Sequence, residues 1–263
     1  GVKMTQPVKV EKGLIAGGYV SLSHQGILAI YAGSYSKNII QFTDLNTNIP
    51  FKIEVENTSI VGFYDNMALL LTDGRPLREA TVESVFNKPK TKTFKEIEGT
   101  KKVSPFTDVS LLHEKRVLYY CNIYHQLYSF NVDTRENIEI DIGRKVSTIA
   151  SFTGIDCSVK TVFHCSYPDE YIYTLNNDNS VTKVGERQSG YFTTIFPSTS
   201  NPKNINDVVF RCGDDLIKCG NKLNMKDLIK FEWCYSVVRV YKDIFLAFDE
   251  KTNSWVLIRI HVP

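Results

Sequence analysis

Short apolar runs, rich in β-branched and aromatic residues, recur along the chain and are parted by polar turns. The stretch from Val103 to Gly143 shows this most plainly. It has runs at Val109–Leu112, Val117–Cys121, Leu127–Val132 and Ile138–Ile142, separated by HEK, NIYH and DTRE. Such runs, with partial alternation, predict strands. Comparable four-run units lie at Gly18–Val55, Ile60–Ile97, Val146–Val184 and Tyr191–Phe231, and Tyr235–Val262 holds three clear runs. In the Ile60–Ile97 unit the third strand is expected in REATVESVF, and NKPKTKTFK (Asn87–Lys95) as the loop to the fourth.

The second run of each unit aligns residue by residue: Leu28–Ala32, Ala68–Thr72, Val117–Cys121, Thr161–Cys165, Val208–Cys212 and Ile244–Phe248. A repeat of about 44 residues with four antiparallel strands is the size of a propeller blade. The expected fold is therefore all-β: a six-bladed β-propeller of four-stranded blades, forming a single domain over residues 1–263. The sixth unit lacks a strand, and Pro7–Glu11 precedes the first unit as a spare one. That segment is expected to become the outer strand of the last blade, because an open ring would leave unpaired backbone groups at its edge. If FDEKTNSW were instead a third-to-fourth strand turn, the register of this blade would shift.

The third run and the turn after it, IIQFTDLNT and LYSFNVDTR, resemble the aromatic-x-Asp-x-x-Thr ending of WD40-type blades. FDEKTNSW is similar to a kelch-type strand pair. The Gly-His and Trp-Asp pairs of WD40 repeats are absent, and the kelch double glycine occurs once, at Gly17-Gly18. The resemblance is thus to the propeller superfamily. It implies an interaction platform that binds on its loop faces or in its channel. Six-bladed rings of the NHL type, which include RNA binders, belong to the same comparison.

Composition narrows the classes. Apolar residues make up 43% of the 263, and 31 basic residues nearly balance 29 acidic ones. That is a globular chain, not one whose whole surface is built for nucleic acid. The first twelve residues are polar, with Lys3, Lys9 and Lys12, and predict no secretory signal. No apolar run is long enough for a membrane span. One glycosylation sequon, Asn57-Thr58-Ser59, is weak evidence for secretion, as one is expected by chance. Lys88, Lys90 and Lys92 read better as a solvated hairpin tip than as an import signal.

Candidate chemistry is sparse. Cys121, Cys165 and Cys212 share a repeat position that Ala32, Thr72 and Phe248 fill elsewhere, which marks a packing position. Cys157, Cys219 and Cys234 have no such register, and no C-x-x-C pair suggests zinc. Equivalent positions on successive blades are poor disulfide partners, so a reduced, intracellular protein is expected. His24 and His113 occupy equivalent turns, and the other histidines are scattered. The carboxylate pairs Asp169-Glu170 and Asp214-Asp215 fall in second-to-third strand loops. There they suit metal or acid–base work, or simply the turns themselves. No nucleophile elbow or phosphate loop occurs, so no cofactor and no enzymatic activity is expected.

The connections between units carry one pattern. They read GTKKVS (Gly99–Ser104), GRKVS (Gly143–Ser147) and GERQS (Gly185–Ser189). In a propeller they share a face with the second-to-third strand loops. Lys101, Lys102, Arg144, Lys145 and Arg187 would join Arg75, Tyr35, Tyr124 and Tyr167, with Arg78 and His125 nearby, in a cationic, aromatic arc. Such an arc suits an acidic or phosphorylated peptide. It also suits single-stranded RNA, with stacked bases and a tracked backbone. Ordinary turn usage explains it as well: Gly makes the turn and Lys or Arg keeps the rim soluble. The expected function is a non-catalytic scaffold for a protein or peptide partner. RNA binding at the same face is the alternative, and a hydrolase sited in the channel is a third class.

Overall fold

The computed structural model describes residues 8–10, 14–23, 25–87, 93–103, 109–112, 115–151, 161–184, 187, 192–197, 208–212, 215–218, 221–224, 234–241, 244–249, 252 and 254–259. A short strand, β1 (Val8–Lys9), comes first. β2 (Ile15–Leu22), β3 (Ile27–Gly33), β4 (Asn38–Asp44) and β5 (Ile49–Glu54) then form an up-and-down sheet in chain order. β6 (Thr58–Tyr64), β7 (Met67–Thr72), β8 (Arg78–Thr81) and β9 (Lys95–Glu96) repeat it, with a helix, α1 (Val82–Asn87), between the last two. β10 (Val109–Leu112), β11 (Val117–Cys121), β12 (Leu127–Asn131) and β13 (Asn137–Ile140) make a further sheet. β14 (Val146–Ser151), β15 (Thr161–Cys165), β16 (Ile172–Leu175) and β17 (Val181–Val184) follow, then β18 (Phe192–Pro197), β19 (Val208–Cys212), β20 (Asp215–Lys218) and β21 (Asn221–Asn224). Last come β22 (Cys234–Tyr241), β23 (Ile244–Asp249) and β24 (Ser254–Arg259), with β1 paired antiparallel outside β24.

The chain divides into two compact units. Gly1–Pro105 with Trp233–Ile258 carries the sheets of β2–β5, β6–β9 and β22–β24 with β1. Phe106–Glu232 with Arg259–Pro263 carries the other three. In the first unit β2 lies beside both β6 and β22; in the second, β14 lies beside both β10 and β18. Within each unit the first strands of the sheets are therefore the ones brought together.

Alternation along a strand explains how a sheet packs on two neighbours. On β3, Ile27 and Ala29 join Phe63, Ala68 and Leu70 in one core. Leu28, Ile30 and Ala32 point the other way and join Val8, Val10 and Trp255 in another. In the second unit Tyr119 and Cys121 of β11 meet Phe163 and Cys165 of β15 across a like core. A second strand is thus buried on both faces and reads as an unbroken apolar run. The fourth strands β5 and β13 are largely exposed, and their sequence signal is weaker. Cys121 and Cys165 are buried at the shared position, as a packing role requires.

One expected strand is a helix. In REATVESVF only Arg78–Thr81 is extended, and Val82–Asn87 turns into α1. Thr81 caps it: its Oγ1 accepts the Ser84 N–H at 3.2 Å, and the Ser84 hydroxyl donates to the Thr81 carbonyl at 2.8 Å. Glu83 adds a favourable charge in the first turn. The helix buries Val85, and Phe86 packs edge-on against Phe51 with centroids 4.4 Å apart. This threonine cap outweighed the β-branched composition of the segment. The Asn87–Lys95 loop lies partly outside the described residues.

The N-terminal strand is held by more than its pairing. Val8 is 2% exposed in the core it shares with Trp255, and the Gln41 amide donates to the Lys9 carbonyl at 2.8 Å. Val8→Ala removes two buried methyl groups and is expected to cost about 2 kcal/mol. Urea unfolding measures this, and an unchanged midpoint would mean that the strand is not docked.

Candidate functional site

The site begins with the connections between sheets. Gly99 and Gly143 have φ of 88° and 66°, the left-handed region in which a side chain is strained, so each connection starts with a turn that favours glycine. Each then ends on a fully buried valine, Val103 or Val146. The Val103 N–H donates to the Arg75 carbonyl and the Val146 N–H to the His125 carbonyl, both at 3.0 Å. A connection is thereby clasped to a second-to-third strand loop. The basic residues between glycine and valine, Lys101 and Lys102 or Arg144 and Lys145, are left exposed.

In the second unit these parts line an open groove of about 910 Å³. Tyr124 and Tyr167 line it, together with Arg144, Lys145, Glu139 and Asp141. Asn122 builds the loop that carries Tyr124: its Oδ1 accepts the N–H groups of Tyr124 and Gln126 at 3.0 and 2.9 Å. The loop after β15 is closed by the Asp169 N–H donating to the Ser166 carbonyl at 3.1 Å. The Ser166 N–H donates to the Lys145 carbonyl at 2.8 Å, which ties this loop to the connection. Held this way, Tyr124 is 66% and Tyr167 76% exposed.

Several of the expected cations are already partnered. Arg144 Nε lies 3.1 Å from Asp169 Oδ2, and its guanidinium sits 4.5 Å over the Tyr173 ring. Arg187 bonds Glu170 Oε2 and the Pro168 carbonyl, both at 3.0 Å. In the first unit Arg75 bonds Glu96 at 2.9 and 3.2 Å. The Asp169-Glu170 pair therefore holds arginines, in place of the metal or acid–base work that its spacing allows. Lys101, Lys102, Arg75 and the fully exposed Tyr35 belong to the first unit; Tyr124, Arg144, Lys145, Tyr167 and Arg187 belong to the second. The groove unites four of the latter, with Arg187 gripping the same loop from beside it.

Glu139 and Asp141 were not anticipated. With the Arg144–Asp169 pair internally balanced, Asp141 and Lys145 are the charges left at the groove, and the Glu139 side chain lies on the face of β13 opposite Ile140, which packs toward β15. The motif DIGRK (Asp141–Lys145) carried the signal, since it places an acid beside the basic pair.

The electrostatic surroundings support a structural role for the base of the groove. Burial pushes the Asp169 carboxyl up. Bonds from the Tyr171 N–H, the Tyr173 hydroxyl and Arg144, with the Arg144 charge, outweigh this and hold it below the usual carboxylate range. Burial, then the bond to Asp169 and its charge, push the Tyr173 hydroxyl up to about 12. Burial and the Asp169 charge likewise push the Cys165 thiol up to about 12, so it stays neutral and unreactive. Ser147 Oγ lies 3.0 Å from His164 Nδ1, a nucleophile–base spacing. His164 is buried, however, and its Nε2 lies 3.1 Å from the Glu170 carbonyl, which suits a core polar link. Among the described residues no three His, Cys, Asp or Glu side chains group to hold a metal. His24, His113, Asp214, Cys157 and Cys219 lie outside the described residues.

No family model and no curated protein matches the chain. Solved structures do. A chain of the mitotic checkpoint complex aligns over 99% of this chain and 93% of its own length, with 8% identity and a TM-score of 0.56. YCF48 bound to D1 peptide aligns over 93% of this chain and 76% of its own length, with 14% identity and a TM-score of 0.54. The chain is a β-propeller. PorZ, a surface component of the type-IX secretion system of Porphyromonas gingivalis, is also similar. It aligns over 94% of this chain but 32% of its own length, with 11% identity and a TM-score of 0.53. At such identities the likeness concerns the propeller fold alone. No helix among the described residues is long and apolar enough to cross a membrane.

The Asp169 bonds make a pH prediction. An unfolded aspartate titrates near about 3.9. A lowered folded value means that the stabilisation is complete above that pH and drains away as pH falls through the folded value. Between about pH 5 and pH 3 the native chain is expected to lose more stability than Asp169→Asn, measured by urea unfolding. Equal losses would mean that the bonds to Asp169 do not persist in solution.

Proposed function

We propose that this chain is a non-catalytic interaction module: one six-bladed propeller that binds a polypeptide segment in the groove between the sheets of β10–β13 and β14–β17. The pairing of β1 with β24 and the six repeats of about 44 residues support a single ring closed by its N-terminal strand. The observation that carries the binding reading is the pair of exposed tyrosines, Tyr124 and Tyr167, on loops fastened by buried valines and side-chain bonds. Rigid aromatic side chains beside an open groove give large contact area at low entropic cost, which is why tyrosine is enriched where proteins bind. The solved likeness includes YCF48, a propeller bound to the D1 peptide. The buried thiols of Cys121 and Cys165 support a reduced, intracellular setting.

Single-stranded RNA fits less well. Its phosphates would meet Asp141 and Asp169, with Arg144 already engaged. The same pairing changes how the arc is to be tested. Reversing the charge of Arg144 or Arg187 breaks an internal ion pair, so the tyrosines and Lys145 are the cleaner probes.

A phage-displayed peptide library selected on the intact protein tests the proposal. Selected peptides are expected to lose at least about ten-fold in affinity on Tyr124→Ala combined with Tyr167→Ala, with an unchanged melting temperature. Labelled single-stranded RNA at low salt is expected not to bind. Peptides that bind the double variant as tightly as the native chain would exclude the groove.

A further inference from the structure

The groove continues onto a sheet edge. β13 closes its sheet, and among the described residues it pairs with β12 alone. Free edges are commonly guarded against further strands by proline or lysine. β5 carries Pro50 and Lys52; β17 carries Lys183, whose Nζ sits 3.9 Å over the Tyr171 ring. β13 has neither guard, and it exposes Ile138 at 46%.

Charge distinguishes this edge as well. Glu136, Glu139 and Asp141 are all exposed along β13 and its flanks, with Arg135 the exposed cation beside Glu136. Asp141 also lines the groove, so the edge adjoins it, while Glu139 offers its charge on the edge's other face. Ile138 shares a strand face with Ile140, and Glu139 lies on the opposite face. A strand added to this edge would present alternate side chains to an apolar face and to an acidic one. Its end would enter the groove beside the open rings of Tyr124 and Tyr167, which attract cations as the carboxylates do.

We propose that the free edge of β13 and the groove together take an extended, lysine- or arginine-bearing polypeptide segment as an added strand. This rests on the groove-binding reading above and specifies its ligand. It reverses the sequence-based expectation of an acidic or phosphorylated partner, because Asp169 and Glu170 spend the two arginines internally. Main-chain hydrogen bonds to the edge supply affinity, and Ile138, Glu139 and Asp141 supply selectivity.

The peptides selected on the intact protein provide the test. They are expected to be enriched in Lys and Arg and to lose at least about ten-fold in affinity on Glu139→Lys with Asp141→Lys. N-methylation of successive peptide amides is expected to weaken binding at alternate positions only, the signature of strand addition. Two results overturn this inference while leaving groove binding intact. In one, peptides that need Tyr124 and Tyr167 tolerate Glu139→Lys with Asp141→Lys and N-methylation everywhere. In the other, the selected peptides are acidic and are lost on Lys145→Glu. Peptides indifferent to the tyrosines as well would overturn both proposals.

Discussion

Burial of the second strands β3, β7, β11 and β15 on two faces is the constraint that organises this protein. A sheet with one wet face needs one partner, but β3 sends Leu28 and Ile30 into one core and Ile27 and Ala29 into another. Such a sheet needs a neighbour on each side. Repetition follows from that need, since a sheet with two apolar faces cannot end the array without leaving one uncovered. Trp255 and Val8 illustrate how a face is covered in the first unit, where a distant chain segment and a short strand fill the core beside β3 and β4.

The connections work within this frame. Glycine turns the chain, and a buried valine clasps the next segment to a loop through one backbone bond. The residues between them need only be soluble, and so the basic character of the connections has a structural explanation. What they do beyond that depends on local partners. Arg144 spans Asp169 and the face of Tyr173, and Tyr173 stacks on Phe163 at 5.5 Å. This layered base stiffens the groove from below and leaves its surface character to Tyr124, Tyr167, Lys145 and the acids of β13.

Much of the architecture was legible in the apolar pattern. Every second-strand alignment from Leu28–Ala32 to Ile244–Phe248 falls within an observed second strand. Among the described side chains, β3, β7, β11 and β15 read clearly because both their faces are dry. Val82–Asn87 did not, because a threonine cap and a first-turn glutamate redirect a stretch whose composition favours extension. The candidate site was legible only as a list of exposed residues. Tyr124 and Tyr167 belong to one groove, whereas Tyr35 and Lys101 belong to the other unit.

The sequence by itself determined the repeat and most of its strands and turns, because these follow from local periodicity and backbone preference. Tertiary structure alone decided the sign of the groove. Arg144 and Asp169 stand 25 residues apart, and no local pattern says that the two will meet. Charges cancel through space, not along the chain. A surface that spells basic in sequence therefore becomes, once folded, a tyrosine-lined groove whose arginine charge is cancelled from within.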